Sequence, residues 1–253
     1  MSMSMSMSMS MSTFSTYIFS QSMLSKKILA VTFMAAGLSA CGDDNNTTGS
    51  VTEPVLEYQV MVYNDTASQP LSPVLVGLHD SNVSLWTVGT AATNALELMA
   101  ESGDSSELLT LFNDYNVAVS GAGVIGPGDS EQLTISVNQS NAMHLSFSSM
   151  LVNTNDAFTG LNAIDISSLT VGDSMTYSLP AYDAGTEANN ESAGTIPGPA
   201  DGGEGYNVAR DDVINKVSRH PGLVTQADDA ASVLLSEHRI AGYVGRLVVT
   251  RIN

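Results

Sequence analysis

The sequence predicts an all-β fold, an antiparallel β-sandwich with one or two short helices inserted. Beyond residue 55 the chain is divided into short runs rich in Val, Ile, Thr, Leu and aromatic residues, separated by Gly, Pro, Asn and Asp. This division is typical of strands joined by turns. In one stretch, apolar residues instead recur at the three- and four-residue spacing of a helix.

The first strand is predicted at residues 56–63, where apolar side chains occupy alternate positions. This period of two is that of a strand with one buried face. Asn64-Asp65-Thr66 ends the run with turn-forming residues.

The helical stretch lies at residues 91–113 and pauses at Ser102-Gly103. Gly103 can take the left-handed conformation that closes a helix. Asp104 and Glu107 have the spacing of a capping box at the start of a second helix. Two short helices are therefore predicted.

Five later runs are predicted as strands, and they are residues 117–120, 132–137, 144–152, 174–179 and 246–252. Residues 184–206, rich in Gly, Asn, Glu and Pro, form a loop between the last two runs. Because this loop is longer than a simple connection requires, function is expected beside it.

The first 40 residues are assigned to targeting. Residues 1–22 begin with Met-Ser repeats and are interpreted as a spurious or low-complexity leader before a second start at Met23. Residues 23–40 carry two lysines and then an apolar run, the pattern of a signal peptide, and the run is too short to span a bilayer. Leu38-Ser39-Ala40-Cys41 resembles the bacterial lipobox, which implies that Cys41 becomes the lipidated first residue. The alternatives are an unmodified buried cysteine and an ordinary secretory signal cut nearby.

Residues 41–55 are polar and turn-forming, which predicts a flexible tether before a domain at residues 56–253. Gly42 stands where an aspartate would indicate retention in the inner membrane. The chain is therefore expected to be exported and anchored in the outer membrane, at the cell surface or the periplasmic face. Several acyl chains on one residue anchor a protein stably. Cys41 is the only cysteine, so no internal disulfide is expected.

The charge balance excludes one class of partner. The chain has 26 Asp and Glu residues against 8 Lys and Arg, and its net charge is −18. Nucleic-acid binding depends on Lys and Arg to neutralise phosphates, so nucleic acid is not expected to bind. Divalent cations and basic surfaces are favoured instead.

No catalytic constellation can be identified. Residues 121–126 match G-x-G-x-x-G, but Pro127-Gly128-Asp129 follows where a nucleotide-binding fold would open a helix. A wide glycine turn is the better interpretation. The four histidines lack zinc-ligand spacing, and no serine lies in a nucleophile elbow. The chain is not expected to be an enzyme.

Two acidic segments follow predicted strands. Asp156 comes shortly after the run at residues 144–152, and Asp183 and Glu187 come shortly after the run at residues 174–179. Adjacent loops of a sandwich can bring such carboxylates together, and oxygen ligands of this kind suit Ca²⁺. The alternative is that all three are solvated loop acids in a chain that has many.

Several segments together resemble the spondin amino-terminal domain family. They are Leu71-Ser72-Pro73 with His79, Ser84-Leu85-Trp86, Met99-Ala100-Glu101-Ser102-Gly103, residues 149–160 and residues 182–187. The resemblance covers roughly residues 56–252. It implies a C2-like antiparallel β-sandwich of extracellular matrix and adhesion proteins that binds calcium through acidic loop residues. Carried over by position, Asp156, Asp183 and Glu187 match the metal-binding carboxylates.

The chain departs from the family pattern at three points. Ala157 stands where animal members carry tryptophan, Glu187 stands where they carry aspartate, and the disulfides are absent. Glutamate can still bind calcium through its longer side chain. A further ligand, Glu131 or a backbone carbonyl, is left open.

Taken together, the sequence predicts a non-catalytic, calcium-binding adhesion or binding module tethered to the surface or envelope through Cys41. Its partner is expected to be an extracellular or envelope protein or glycan. The first alternative is a purely structural envelope lipoprotein without a metal site. A hydrolase using metal-bound water is the other, and the sequence offers no general base for it.

Overall fold

The computed structural model describes residues 54–112, 117–138, 143–212 and 214–253. The leader, the signal segment, Cys41 and nearly all of the tether lie outside these residues. No helix in the described ranges is both long enough and apolar enough to cross a membrane.

Nine strands and two α-helices make up the regular structure of the described residues. The strands are β1 (Leu56–Asn64), β2 (Leu75–His79), β3 (Val117–Ser120), β4 (Ser130–Val137), β5 (His144–Met150), β6 (Ala157–Asp165), β7 (Ser174–Asp183), β8 (Ser218–Arg219) and β9 (Tyr243–Arg251). The helices are α1 (Asn94–Ser102) and α2 (Ser106–Leu109), and a 3₁₀ turn lies at Ser236–His238.

All strand pairs are antiparallel, in the order β3-β2-β5-β6-β7-β9-β1-β4, with β8 also beside β7. Strand β7 serves two layers. Its first part pairs with β9 as far as Pro180, and its last residues, Ala181–Asp183, pair with β6. A register shift between Leu179 and Pro180 marks the crossing, as expected where a strand changes sheets. The predicted all-β antiparallel fold is confirmed.

One hydrophobic core lies between the two layers. Strand β1 buries every second side chain, as its sequence period predicts. Val60 and Val62 of β1 belong to the same core as Val76 of β2 and Phe147 of β5. The register of β1 is therefore fixed by burial, since a shift of one residue would expose this whole face.

A second apolar cluster covers the outer face of β2 and β5. Leu96 and Met99 of α1 pack there with Leu75, Trp86 and Phe158. Because of this cover, all five residues of β2 are buried. Strand β2 therefore has no alternating pattern, and it was missed among the runs predicted from periodicity.

The two predicted helices are confirmed, but one predicted cap is wrong. Helix α1 begins after Thr93, whose side chain accepts a hydrogen bond from Leu96 N, and it ends at Gly103 with a φ of 74°. Helix α2 has Ser105 at its N-cap with no side-chain cap bond. Asp104 instead accepts from Ser106 N at 2.8 Å. This local turn replaces the expected capping box.

Strand β6 was also missed. Its position changes the predicted surroundings of Asp156. Gly160 and the preceding Asn and Thr residues have the composition of a loop, but Gly160 lies inside β6, where it pairs with Ser148 and leaves room for Trp86. A Cβ atom at Gly160 would lie 2.4 Å from Trp86 Cη2. Asp156 is therefore the last residue before β6, at the end of a short β5–β6 connection.

Candidate metal centre

Two of the three predicted carboxylates lie at neighbouring strand ends, as the sequence predicts. Asp156 immediately precedes β6, and Asp183 is the last residue of β7. Ala157 and Asp183 are register partners, and Ala184 N donates to the Asp156 carbonyl oxygen at 3.3 Å. The β6–β7 pairing therefore brings together acids that are 27 positions apart in sequence.

The Asp156 carboxylate anchors the loop after β7. It is fully buried, and its Oδ2 accepts hydrogen bonds from Thr186 N at 2.7 Å, Thr186 Oγ1 at 3.1 Å and Glu187 N at 3.1 Å. Its Oδ1 has no hydrogen-bond partner. A buried carboxylate oxygen without a donor is unfavourable for the folded state unless something else binds it.

The Asp183 side chain closes the tight turn that follows it. Its Oδ1 accepts from Gly185 N at 2.7 Å, and its Oδ2 accepts from the Asn189 side-chain amide. Gly185 has a φ of 70°, a conformation that favours glycine. The turn therefore holds the Asp183 carboxylate against the β6 end.

Glu187 joins the cluster from its other side. Its backbone N–H donates to Asp156, while its half-buried side chain faces other acids. The pKa of Glu187 is raised to about 8, first by burial and then by the charges of Glu101, Asp156, Asp211 and Glu204, in that order. The strongest of these neighbours is Glu101 rather than either aspartate.

Burial also raises the pKa values of both aspartates. The pKa of Asp156 rises to about 7, first through desolvation and then through the charge of Asp183, although the Thr186 and Glu187 donors oppose the rise. Desolvation raises the pKa of Asp183 against the opposing bonds from Asn189 and Gly185. The site therefore disfavours its own negative charge, and a cation would relieve that cost.

Two buried glutamates at the site were not predicted. Glu191 and Glu101 are both fully buried, and each has one oxygen, Oε1, without a hydrogen-bond partner. Glu191 Oε2 accepts from Val224 N at 3.1 Å, and Glu101 Oε2 accepts from Asn207 N at 2.9 Å. Burial, followed by the charges of Asp156 and Asp183, raises the pKa of Glu191 to about 7.

Sequence signals for these two residues were weak. Glu191 lies in the 184–206 loop beside which function was expected, and Glu101 lies within one of the family-like segments. Neither position has a pattern that indicates burial.

A known protein family matches the part of the chain that contains these acidic residues. The Spondin_N family model matches residues 62–194. The match spans more than half of the chain, runs from β1 past β7 and includes all of the acidic positions from Asp156 to Glu191. The chain belongs to the spondin N-terminal domain family. No curated protein matches it.

Membership confirms the resemblance inferred from the short segments. The spondin N-terminal domain is a binding- or adhesion-type module, and its family is not a family of enzymes. The β-sandwich expected of the family agrees with the observed fold.

The donor set of the spondin domain fits a hard cation, although its geometry is not that of a preformed site. Asp156 Oδ1 and Glu191 Oε1 are buried oxygens without donors, the type of ligand that Ca²⁺ prefers. Within the described ranges, however, no three His, Cys, Asp or Glu side chains are arranged to hold a metal ion. Calcium binding therefore requires these carboxylates to draw together around the ion.

Glu131, the further ligand considered from sequence, is held by another part of the domain. It lies in β4, and its Oε1 accepts from Ala122 N at 2.6 Å in the β3–β4 connection. This connection contains the G-x-G-x-x-G segment, which bends at Ala122 and Gly123, bridges at Ile125 and leads into a turn at Pro127 and Gly128 rather than into a helix. The interpretation as a glycine turn is confirmed.

The raised pKa values predict the pH dependence of the calcium-free domain. The folded state keeps protons on Asp156, Glu187 and Glu191 up to pKa values of about 7, 8 and 7. The unfolded chain releases them near pH ~4. The stability they contribute is fully present below that pH and is lost as the pH rises through about 7 to 8.

In chelator, the Tm should therefore fall between about pH 6.5 and about pH 8.5. Burial lowers the pKa of His220 to about 4, so this imidazole is neutral in the folded state throughout the window. Thermal melts followed by circular dichroism measure the effect. A Tm that stays level or rises across this range would contradict the assignment of buried, protonated acids.

Proposed function

We propose that this spondin domain is a calcium-dependent, non-catalytic binding or adhesion module, tethered to the outer membrane by lipid on Cys41. One observation carries the calcium part. Asp156 is a fully buried carboxylate that ties the β6 end to the loop after β7, and one of its oxygens has no hydrogen-bond partner. With Asp183 on the adjacent strand end, this oxygen is the natural ligand for a cation.

The role of the ion follows from electrostatics. Carboxylates that approach each other in a buried place repel when ionised, and a divalent cation converts that repulsion into attraction. Calcium would then hold the 183–187 turn firmly on the end of β6. A loop edge fixed in this way can present side chains to a partner at a lower entropic cost than a mobile one.

The tether is proposed from the sequence of residues 23–41, where a signal-like segment leads into Cys41. Such an anchor would place the domain in the envelope or at the cell surface. There the domain would bind a protein or a glycan partner. The strongly acidic composition favours a partner with a basic surface.

A structural envelope lipoprotein without a metal remains the second candidate. It is favoured by the lack of a preformed ligand group among the described side chains. In that case, protons rather than calcium would neutralise the buried acids at physiological pH.

Calcium titration by isothermal calorimetry separates the two candidates. The purified protein should give a binding heat, and Asp183→Asn should reduce the calcium affinity by at least about tenfold because a charged ligand is lost. Glu237→Gln is the matched control, since it also removes one carboxylate charge but from an exposed residue of the 3₁₀ turn. The absence of a calcium heat from the unmodified protein would leave the structural role as the function.

A further inference from the structure

Glu191 differs from the other loop acids in how firmly its backbone is held. Its N–H donates to Asn155 Oδ1 at 3.1 Å, and its carbonyl oxygen accepts from Val233 N at 2.9 Å. Its φ is 45°, in the left-handed region that a glutamate rarely occupies. These contacts fix the residue next to Asp156, because Asn155 is the adjacent position in the chain.

The side chain of Glu191 is held as firmly as its backbone, yet it remains incompletely bonded. Val224 N binds Oε2, while Oε1 is buried and has no partner. A solvated loop acid would direct its carboxylate to water, and this one is fully buried. After desolvation, the charges that act on it are those of Asp156 and Asp183. The hydrogen bond from Glu191 N to Asn155 Oδ1 places this residue beside the chain position that precedes Asp156, so a small movement of the side chain could bring the free oxygen to the ion.

We propose that Glu191 supplies a further carboxylate ligand to the calcium site and that the ion thereby fixes the segment around Val224 and Val233. This inference rests on the proposed function of the Asp156 site. Between Glu187 and Glu191, Glu191 is the one with a fully buried oxygen that has no partner, whereas Glu187 is half-buried and the charge that acts on it most strongly is that of Glu101. Glu191 is not one of the three residues that match the family's metal ligands.

Calcium binding by Glu191 would also affect a segment that lies away from the strand ends. Leu223 and Leu234 form a small apolar cluster with Ile196, separate from the main core. Glu191 connects the segment that carries this cluster to the strand ends, because its side chain accepts from Val224 N and its carbonyl oxygen accepts from Val233 N. Calcium at the site would link this segment to β6 and β7 through one side chain.

The first test is calcium titration of the full chain carrying Glu191→Gln. The glutamine keeps an oxygen for Val224 N but removes the charge, so the fold should be retained while calcium affinity falls at least about tenfold. Glu237→Gln should bind calcium as the unmodified protein does. If Glu191→Gln does not fold, as judged by circular dichroism, Glu191→Asp is titrated instead, since its shorter side chain keeps the charge but draws the oxygen back.

Hydrogen exchange gives the second test. Calcium should slow exchange at the amides of Val224 and Val233 in the unmodified protein, and this protection should be lost in Glu191→Gln. Unchanged calcium affinity in Glu191→Gln, with binding intact in the unmodified protein, overturns the ligand assignment alone. Calcium protection confined to residues 183–187 overturns the link to the 223–234 segment. No calcium binding by the unmodified protein overturns both this inference and the proposed function.

Discussion

Replacing Asp156 by alanine is expected to destabilise the domain by about 3 kcal/mol in chelator, and by more in calcium. The substitution removes the acceptor for Thr186 N, Thr186 Oγ1 and Glu187 N. Thr186 is fully buried, so its donors would lose their partner without gaining water. In calcium the unmodified protein also gains the binding free energy, which the variant cannot gain.

Asp156→Asn separates the structural role of this residue from its role in binding. The amide oxygen can still accept from Thr186 and Glu187. Because the amide is neutral, the substitution also removes a negative charge from beside Asp183 and Glu191. In chelator at pH 8, this variant should therefore be at least as stable as the unmodified protein. Its stability should no longer respond to calcium.

Both Asp156 variants are compared by urea unfolding, in chelator and in calcium. The free energy of unfolding in water is obtained by linear extrapolation from its dependence on urea concentration, so each variant can be compared directly with the unmodified protein. If Asp156→Asn is still stabilised by calcium as strongly as the unmodified protein, the Asp156 carboxylate is not a ligand. If Asp156→Ala is neutral in chelator, the three hydrogen bonds do not hold the loop.

The parts of the fold that the sequence predicted are those with a local signal. Strand β1 has one buried face and so alternates, and α1 carries both an apolar stripe and Gly103 at its end. Strands β2 and β6 lack such signals because tertiary contacts determine them. The outer face of β2 is covered by distant residues, and the glycine within β6 accommodates Trp86.

The same distinction applies to the site. Asp156 and Asp183 could be placed together because each follows a strand, and strand ends meet at the edge of a sheet. The burial of Glu101 and Glu191 could not be foreseen, since acids in a chain with 26 of them are normally solvated. Only the packed structure shows that the loop after β7 and the segment near Val224 enclose a carboxylate.

Gly185→Ala is expected to have the second large effect, about 2–5 kcal/mol of lost stability, with a loss of calcium affinity. Gly185 has a φ of 70°, and a Cβ atom there would lie 2.5 Å from both Lys216 N and Lys216 O. Both contacts are with backbone, which cannot move aside as a flexible side chain could. The turn would have to open, and Asp183 would lose the hydrogen bond from Gly185 N.

Gly194→Ala is the matched control, because it separates conformational strain from close approach. Gly194 lies in the same long loop with a φ of 90°, but a Cβ atom there would have nothing within 4 Å. Its substitution should cost only the strain of a left-handed alanine, about 1–2 kcal/mol, and should leave calcium affinity unchanged. The excess cost of Gly185→Ala measures the contact with Lys216, and urea unfolding of the two variants gives it directly. Equal costs would mean that the Lys216 backbone does not constrain the turn, and that Asp183 is positioned by its pairing with β6 alone.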